Sequence, residues 1–222
     1  MADPIVLNGN VRKTARPHLP EGSYYAPNIT NGAEFIVTQG LPPKAELVRL
    51  GLGWTARIAT ASAFTYVAAW PTTRGEIVLY NGEAALGKSY IIDSAWMYNI
   101  TSMAAAQHQT LIGQLVPVVA TAPTDDTAQL INSLSGKSGY SGRARRAVAN
   151  TAAGQTTNLW DVLATSQASA MTTNLGAALY AELWGKYIVP PGGVFALAGI
   201  AGTAAGTATI GVTWFEVQLD LG

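Results

Sequence analysis

Gly82-Glu83-Ala84-Ala85-Leu86-Gly87-Lys88-Ser89 runs directly into Tyr90-Ile91-Ile92-Asp93-Ser94-Ala95-Trp96-Met97-Tyr98, and the reading of the second stretch decides the fold. The first eight residues satisfy the phosphate-cradling pattern G-x-x-x-x-G-K-[ST] at every position, after a strand-like Glu76–Tyr80. That pattern needs a helix next, because the amide groups and dipole of a helix N-terminus hold the phosphates. Tyr90 to Tyr98 is instead β-branched and aromatic, poor in helix formers, and reads as a strand. Nor is there a succession of βαβ units, or an apolar strand ending in a magnesium-binding aspartate. Asn81–Gly87 is therefore expected to be a hairpin loop with Lys88 at its solvated end, in a β-rich chain.

Outward from this point the same texture continues. Short β-branched and aromatic runs, separated by glycine, proline and asparagine, predict strands at Glu34–Thr38, Ala45–Leu50, Thr55–Ala59, Phe64–Ala69, Glu76–Tyr80, Ser89–Ile100, Gln109–Val119, Arg143–Ala149, Leu159–Leu163, Ala178–Ile188, Val194–Ile200 and Ala208–Leu219. Pro190-Pro191-Gly192-Gly193, between Tyr187-Ile188-Val189 and Val194-Phe195-Ala196-Leu197, predicts a hairpin. The final strand carries apolar residues on both faces, as a central strand or a strand meeting another subunit does. Helix is expected only in short pieces, at Thr124–Ile131 and Ser102–Gln107, each with a capping hydroxyl. Many strands with turns roughly every 8–12 residues point to an all-β chain, a jelly-roll-like antiparallel β-sandwich.

Residues 1–34 differ. Prolines at 4, 17, 20 and 27 and the absence of periodicity predict an extended N-terminal arm, and residues 35–222 the sandwich body. Within the body, 35–85 is an optional small β subregion and 86–222 the jelly roll. The arm's apolar spots, Ile5, Val6 and Leu7 and the pair Tyr24 and Tyr25, are too few for a core and suit grooves on a neighbour. Two basic clusters, Arg12, Lys13 and Arg16 in the arm and Arg143, Arg145 and Arg146 in the body, suit acidic patches on a partner or a solvated loop.

Composition narrows the partners. Charged residues are 12% of the chain, about half the usual share, and 13 basic residues balance 13 acidic ones. No global field steers such a chain to nucleic acid or an anionic membrane. Without cysteine it has neither disulfides nor thiolate chemistry. The N-terminus lacks the apolar run of a secretory signal, and the most apolar region, Tyr187 to Ala205, is broken at Pro190, so no membrane span is expected. Asn28-Ile29-Thr30 and Asn99-Ile100-Thr101 match the glycosylation pattern by chance on this reading.

Catalytic chemistry finds little support. The histidines, His18 and His108, have no cysteine to complete a zinc site and no obvious nucleophile partner. Glu76, Glu83, Asp93, Asp161, Glu182 and Glu216 are scattered, with no spacing that selects a glycosidase pair. Most of Trp54, Trp70, Trp96, Trp160, Trp184 and Trp214 are expected in the core or at subunit contacts. No catalytic residue, metal or cofactor is assigned.

Glu76–Glu83, Gly87-Lys88-Ser89-Tyr90, Tyr140-Ser141-Gly142-Arg143-Ala144, Gly185–Gly193 and Trp214-Phe215-Glu216-Val217 resemble small virion proteins of tailed bacteriophages, over most of the chain from about residue 70. The resemblance implies a jelly-roll body, trimeric in many members, that decorates or cements a capsid, with a terminal arm lacing neighbouring subunits together. It further implies a homo-oligomer on the virion surface, assembled in the host cytoplasm, whose partner is the major capsid protein or another virion protein. A tail-associated receptor- or glycan-binding head remains the first alternative, an enzyme the second, and a bacterial adhesive or shell component the third.

Overall fold

The computed structural model describes residues 43–58, 63–71, 75–101, 107–116, 130–134, 144–150, 160–168, 178–202 and 206–219. They form one helix, α1 (Pro43–Arg49), and twelve strands: β1 (Gly53–Arg57), β2 (Phe64–Thr65), β3 (Gly75–Asn81), β4 (Ser89–Asn99), β5 (Gln107–Val116), β6 (Leu130–Asn132), β7 (Ala144–Asn150), β8 (Asp161–Ala168), β9 (Ala178–Glu182), β10 (Ile188–Val189), β11 (Val194–Ala201) and β12 (Thr207–Val217). The larger sheet runs β10-β4-β12-β1-β6, with β2 added on β12 and β9 on β4. The smaller runs β7-β3-β11-β5-β8. All ladders between these strands are antiparallel.

The pairing follows one rule. β1 pairs with β12, β3 with β11, β4 with β9 and β5 with β8, so the chain is one long hairpin whose tip lies between β5 and β8. Rolling that hairpin up brings β12 against β4 and β11 against β5. This strand order is that of a jelly roll. Between β5 and β8 the chain makes an excursion that adds β6 beside β1 and β7 beside β3, extending the same side of both sheets.

Rolling-up also corrects two expectations. Pro190–Gly193 is a tight turn, with the Gly193 N–H donating to the Pro190 carbonyl at 2.9 Å and Gly192 at φ +79°. Its flanking strands do not pair, however: Val189 lies opposite Tyr90 in the larger sheet, and Val194 opposite Tyr80 and Val116 in the smaller. Asn81–Lys88 likewise joins β3 of one sheet to β4 of the other instead of closing a hairpin. Turn chemistry specifies the reversal but not which sheet receives the next strand.

Three further elements depart from the sequence reading. Ala45–Leu50 is not a strand but most of α1: Pro43 opens the helix, Glu46 lies in its first turn and Arg49 in its last. Gly51, at φ +73°, ends it; the Gly51 N–H bonds the Val48 carbonyl (2.8 Å) and the Leu52 N–H the Leu47 carbonyl (3.0 Å), a Schellman cap. Leu130 and Ile131, expected in a helix, are strand residues of β6. The expected strand Ala178–Ile188 is interrupted by a turn at 183–187 that separates β9 from β10. Glu34–Thr38, most of Ser102–Gln107 and residues 124–129 lie outside the described residues, as does the arm 1–34. By contacts the chain divides at Glu46/Leu47, and β1, β2 and β3 belong to the same two sheets as the later strands.

Between the sheets, Ile77 and Leu79 of β3, Tyr90, Ile92 and Met97 of β4, Leu111 of β5, Phe195 and Leu197 of β11, and Ile210, Val212 and Trp214 of β12 are fully buried. Each such side chain contributes about 1.5–3 kcal/mol of transfer free energy. A second apolar group, Val78, Ile112, Val194, Ala196, Ala198 and Trp160, is buried on the opposite face of the smaller sheet. There the Trp160 indole N–H donates to the Pro71 carbonyl (2.8 Å).

Candidate functional site

Of the residues singled out from sequence, Ile5, Val6, Leu7, Arg12, Lys13, Arg16, Tyr24, Tyr25 and Arg143 lie outside the described residues. Arg145 and Arg146 fall on β7, their backbones opposite Tyr80 and Leu79 of β3. His108 is exposed on β5, and the six carboxylates are spread over both sheets and, for Glu83, the loop between β3 and β4. Among the described residues no group of three or more His, Asp or Glu side chains could hold a metal ion. No helix there is long and apolar enough to cross a membrane. Asn99, of the second glycosylation match, is buried and accepts the hydroxyl of Tyr66, whose phenol pKa burial raises.

The phosphate-loop match resolves into a structural joint. Asn81 is fully buried; its Nδ2 donates to the carbonyls of Lys88 (2.8 Å) and Val189 (3.0 Å), and its Oδ1 accepts the Glu83 N–H at 3.1 Å. Its backbone also bonds Gly193 (2.9 Å) and Gly192 (2.7 Å). One side chain thus ties together both crossings between the sheets at this end. Lys88 leads into a strand, and its ammonium lies 3.8 Å from the buried Glu216 carboxylate. No helix N-terminus follows the loop, so the amide cradle for a phosphate is missing.

The informative surface is the outer face of the larger sheet. Antiparallel register places four rows across it. Gly53, Phe215, Ile91 and Ile188 form an apolar row. Thr55, Thr213, Ser94 and Glu182 form a polar one, with the Ser94 and Thr213 hydroxyls bonded at 2.5 Å. Next come Arg57, Gly211, Trp96 and Tyr180, then Thr209, Tyr98 and Ala178. A bulge between Thr213 and Trp214 leaves Asp93 as the extra residue of β4. It allows Ile91 and Trp96 to face outward while Ile92 and Ala95 stay buried.

Beside the apolar row, Leu183-Trp184-Gly185-Lys186 turns the chain between β9 and β10. The Lys186 N–H bonds the Leu183 carbonyl (2.7 Å), and Trp184 and Gly185 have φ of +48° and +77°. Positive φ at both central positions is the signature of a primed turn, for which Asn-Gly or Gly-Gly is unstrained and tryptophan is not. Trp184 is nonetheless 70% exposed. Leu86, in the loop before β4, repeats the pattern at φ +66° and 90% exposure. A large apolar side chain held out at positive φ suits a contact surface.

Asp161, at the start of β8, accepts the Tyr187 hydroxyl, and the Lys186 ammonium lies 3.3 Å away. The Tyr187 bond first, then Lys186, holds the Asp161 carboxyl below its ordinary value; burial and the Asp161 bond raise the Tyr187 phenol. This cluster links the turn carrying Trp184 to the neighbouring edge of the smaller sheet.

Sequence reasoning placed interface residues in the arm and basic clusters, took Trp96 and Trp184 only among tryptophans of the core or of subunit contacts, and missed Leu86 and Tyr180. Trp184-Gly185 was the available signal, since an X-Gly pair inside an otherwise strand-like run marks a turn or bulge. No family model and no curated protein matches the chain. Among solved structures, the chain is similar to one from the cryo-EM structure of mud crab dicistrovirus, at 10% identity over 97% of this chain and 87% of that one, with a TM-score of 0.17.

Proposed function

We propose that this chain is a non-enzymatic virion structural protein that decorates or cements a phage capsid, through contacts between its own copies and with neighbouring subunits of the shell. The observation that carries the reading is the pair of strained, exposed apolar side chains, Trp184 and Leu86, on a jelly roll with no net charge to repel another subunit. Double-sheet jelly rolls serve both viral shells and lectins, so the fold alone selects neither. Cementing needs only buried apolar area: Trp184, Ile188 and Ile91 offer such an area, and many equivalent contacts turn modest affinities into lasting attachment.

On this account the homo-oligomer is a trimer, its partner is the major capsid protein or another virion protein, and the arm 1–34 grips neighbours. The protein assembles in the host cytoplasm and resides on the capsid surface. Solution mass of the full chain beside a chain lacking residues 1–34 tests it. A trimer that persists without the arm but no longer sediments with capsids supports the reading; a monomer that ignores capsids in both forms overturns it. A tail-associated receptor- or glycan-binding head is the second reading, favoured by exposed Tyr180 and half-buried Trp96 on the outer face of the larger sheet.

A further inference from the structure

We infer that Asn81-Gly82 is a latent deamidation site, which the fold holds closed and which makes opening of this end of the sandwich irreversible. Asparagine followed by glycine is the pair most prone to this reaction, because glycine has no Cβ to obstruct the approach of its own amide nitrogen. The Gly82 nitrogen loses its proton to hydroxide and attacks the Asn81 Cγ. The bond from Cγ to Nδ2 breaks, ammonia leaves with a proton returned by water, and a five-membered succinimide remains. Water then opens either carbonyl of the ring, giving aspartate or, where the main chain is rerouted through Cβ, isoaspartate.

The folded chain denies each requirement of that sequence. Attack needs a carboxamide free to turn and a nitrogen free to leave. Nδ2 of Asn81 is engaged twice, by the carbonyls of Lys88 and Val189, and Oδ1 is held by the Glu83 N–H. The main chain beside the reacting bond is fixed as well, since the Asn81 N–H bonds the Gly193 carbonyl and the Asn81 carbonyl accepts the Gly192 N–H. Hydroxide and water need access, and Asn81 is 0% exposed.

Opening the joint removes these protections together, and neither product fits back. An ionised carboxylate only accepts hydrogen bonds, so at position 81 it would face the carbonyls of Lys88 and Val189 with nothing to donate, in a site closed to water. Isoaspartate adds a main-chain atom at the end of β3, where Asn81 lies opposite Ala144 of β7. A chain that reacts while open is therefore barred from returning, and its lifetime is set by how often this end opens. The latch depends on the joint alone, whatever surface the protein occupies.

The same chain carries Asn8-Gly9 and Asn31-Gly32, which serve as comparators. Its test is incubation of the full chain at mildly alkaline pH, in native buffer and in guanidinium chloride, with each site read by peptide mapping and mass spectrometry. Asn81 is expected to convert at least about tenfold more slowly in native buffer than in denaturant, because only the opened population reacts. After dilution from denaturant, chains that refold should carry the amide at 81, and chains with aspartate or isoaspartate there should stay in the unfolded or aggregated fraction. Conversion at Asn8 and Asn31, shared evenly between the two fractions, assigns the effect to Asn81. A rate at Asn81 that differs by less than about tenfold between the two conditions overturns the inference. So does recovery of converted position 81 in the folded fraction in proportion to its abundance.

Discussion

Replacing Asn81 with alanine is expected to loosen the end of the sandwich where both crossings meet. The side chain is fully buried and makes three hydrogen bonds to backbone groups of two different connections. The bond to Val189 is wholly buried, and losing it strands a carbonyl, at about 1–3 kcal/mol. Those to Lys88 and Glu83 are partly solvated, and water can replace them at about 0.5–1 kcal/mol each. The total is about 2–5 kcal/mol, a fall in Tm of roughly 4–20 °C for a chain of this size. Urea unfolding followed by tryptophan fluorescence, at fixed chain concentration because association also stabilises, measures it. Asn81→Asp provides the control: it keeps the acceptor for Glu83 but turns a carboxylate toward two carbonyls, so it should lose at least as much. A loss below about 0.5 kcal/mol for alanine, or a stable aspartate variant, would refute the joint.

Other outcomes follow from single features. Trp184→Gly should leave stability unchanged or raise it by up to about 1 kcal/mol, because glycine adopts φ +48° without strain, while self-association or capsid binding falls in sedimentation assays. Lys88→Ala should leave nucleotide titrations as flat as for the parent chain, and cost about 1–2 kcal/mol by removing a cation 3.8 Å from buried Glu216. Asp161 has a lowered pKa, so its contribution is present above the ordinary value of 3.8 and is lost as pH falls through the lower, folded-state value. Asp161→Asn should therefore flatten the acid limb of a stability-against-pH profile below about pH 4, leaving neutral pH little changed. An acid limb identical to that of the parent chain would exclude the cluster.

The strands were legible because their signal is local. Tyr90–Tyr98 shows β-branched and aromatic enrichment that no helix tolerates well, and β4 follows it almost to the residue. What rolling up does to those strands was not legible. Pro190–Gly193 has the same chemistry whether the chain returns to its own sheet or crosses to the other, and only the pairing of Val189 with Tyr90 and of Val194 with Tyr80 distinguishes them. α1 was missed although Pro43, the helix formers Lys44, Ala45 and Glu46, and Gly51 carry its start and stop signals. The candidate surface was hidden for a different reason: Trp96 faces outward only because Asp93 forms a bulge, and Gly211 matters only because register sets it beneath an indole.

The central claim, a structural protein of the capsid surface, is tested most directly by immunogold labelling of purified particles with antibody raised against the full chain. The account predicts label distributed over the capsid of intact virions, retained after tails are sheared off. Label confined to the tail tip, or absent from particles while the protein stays free in the lysate, would contradict it.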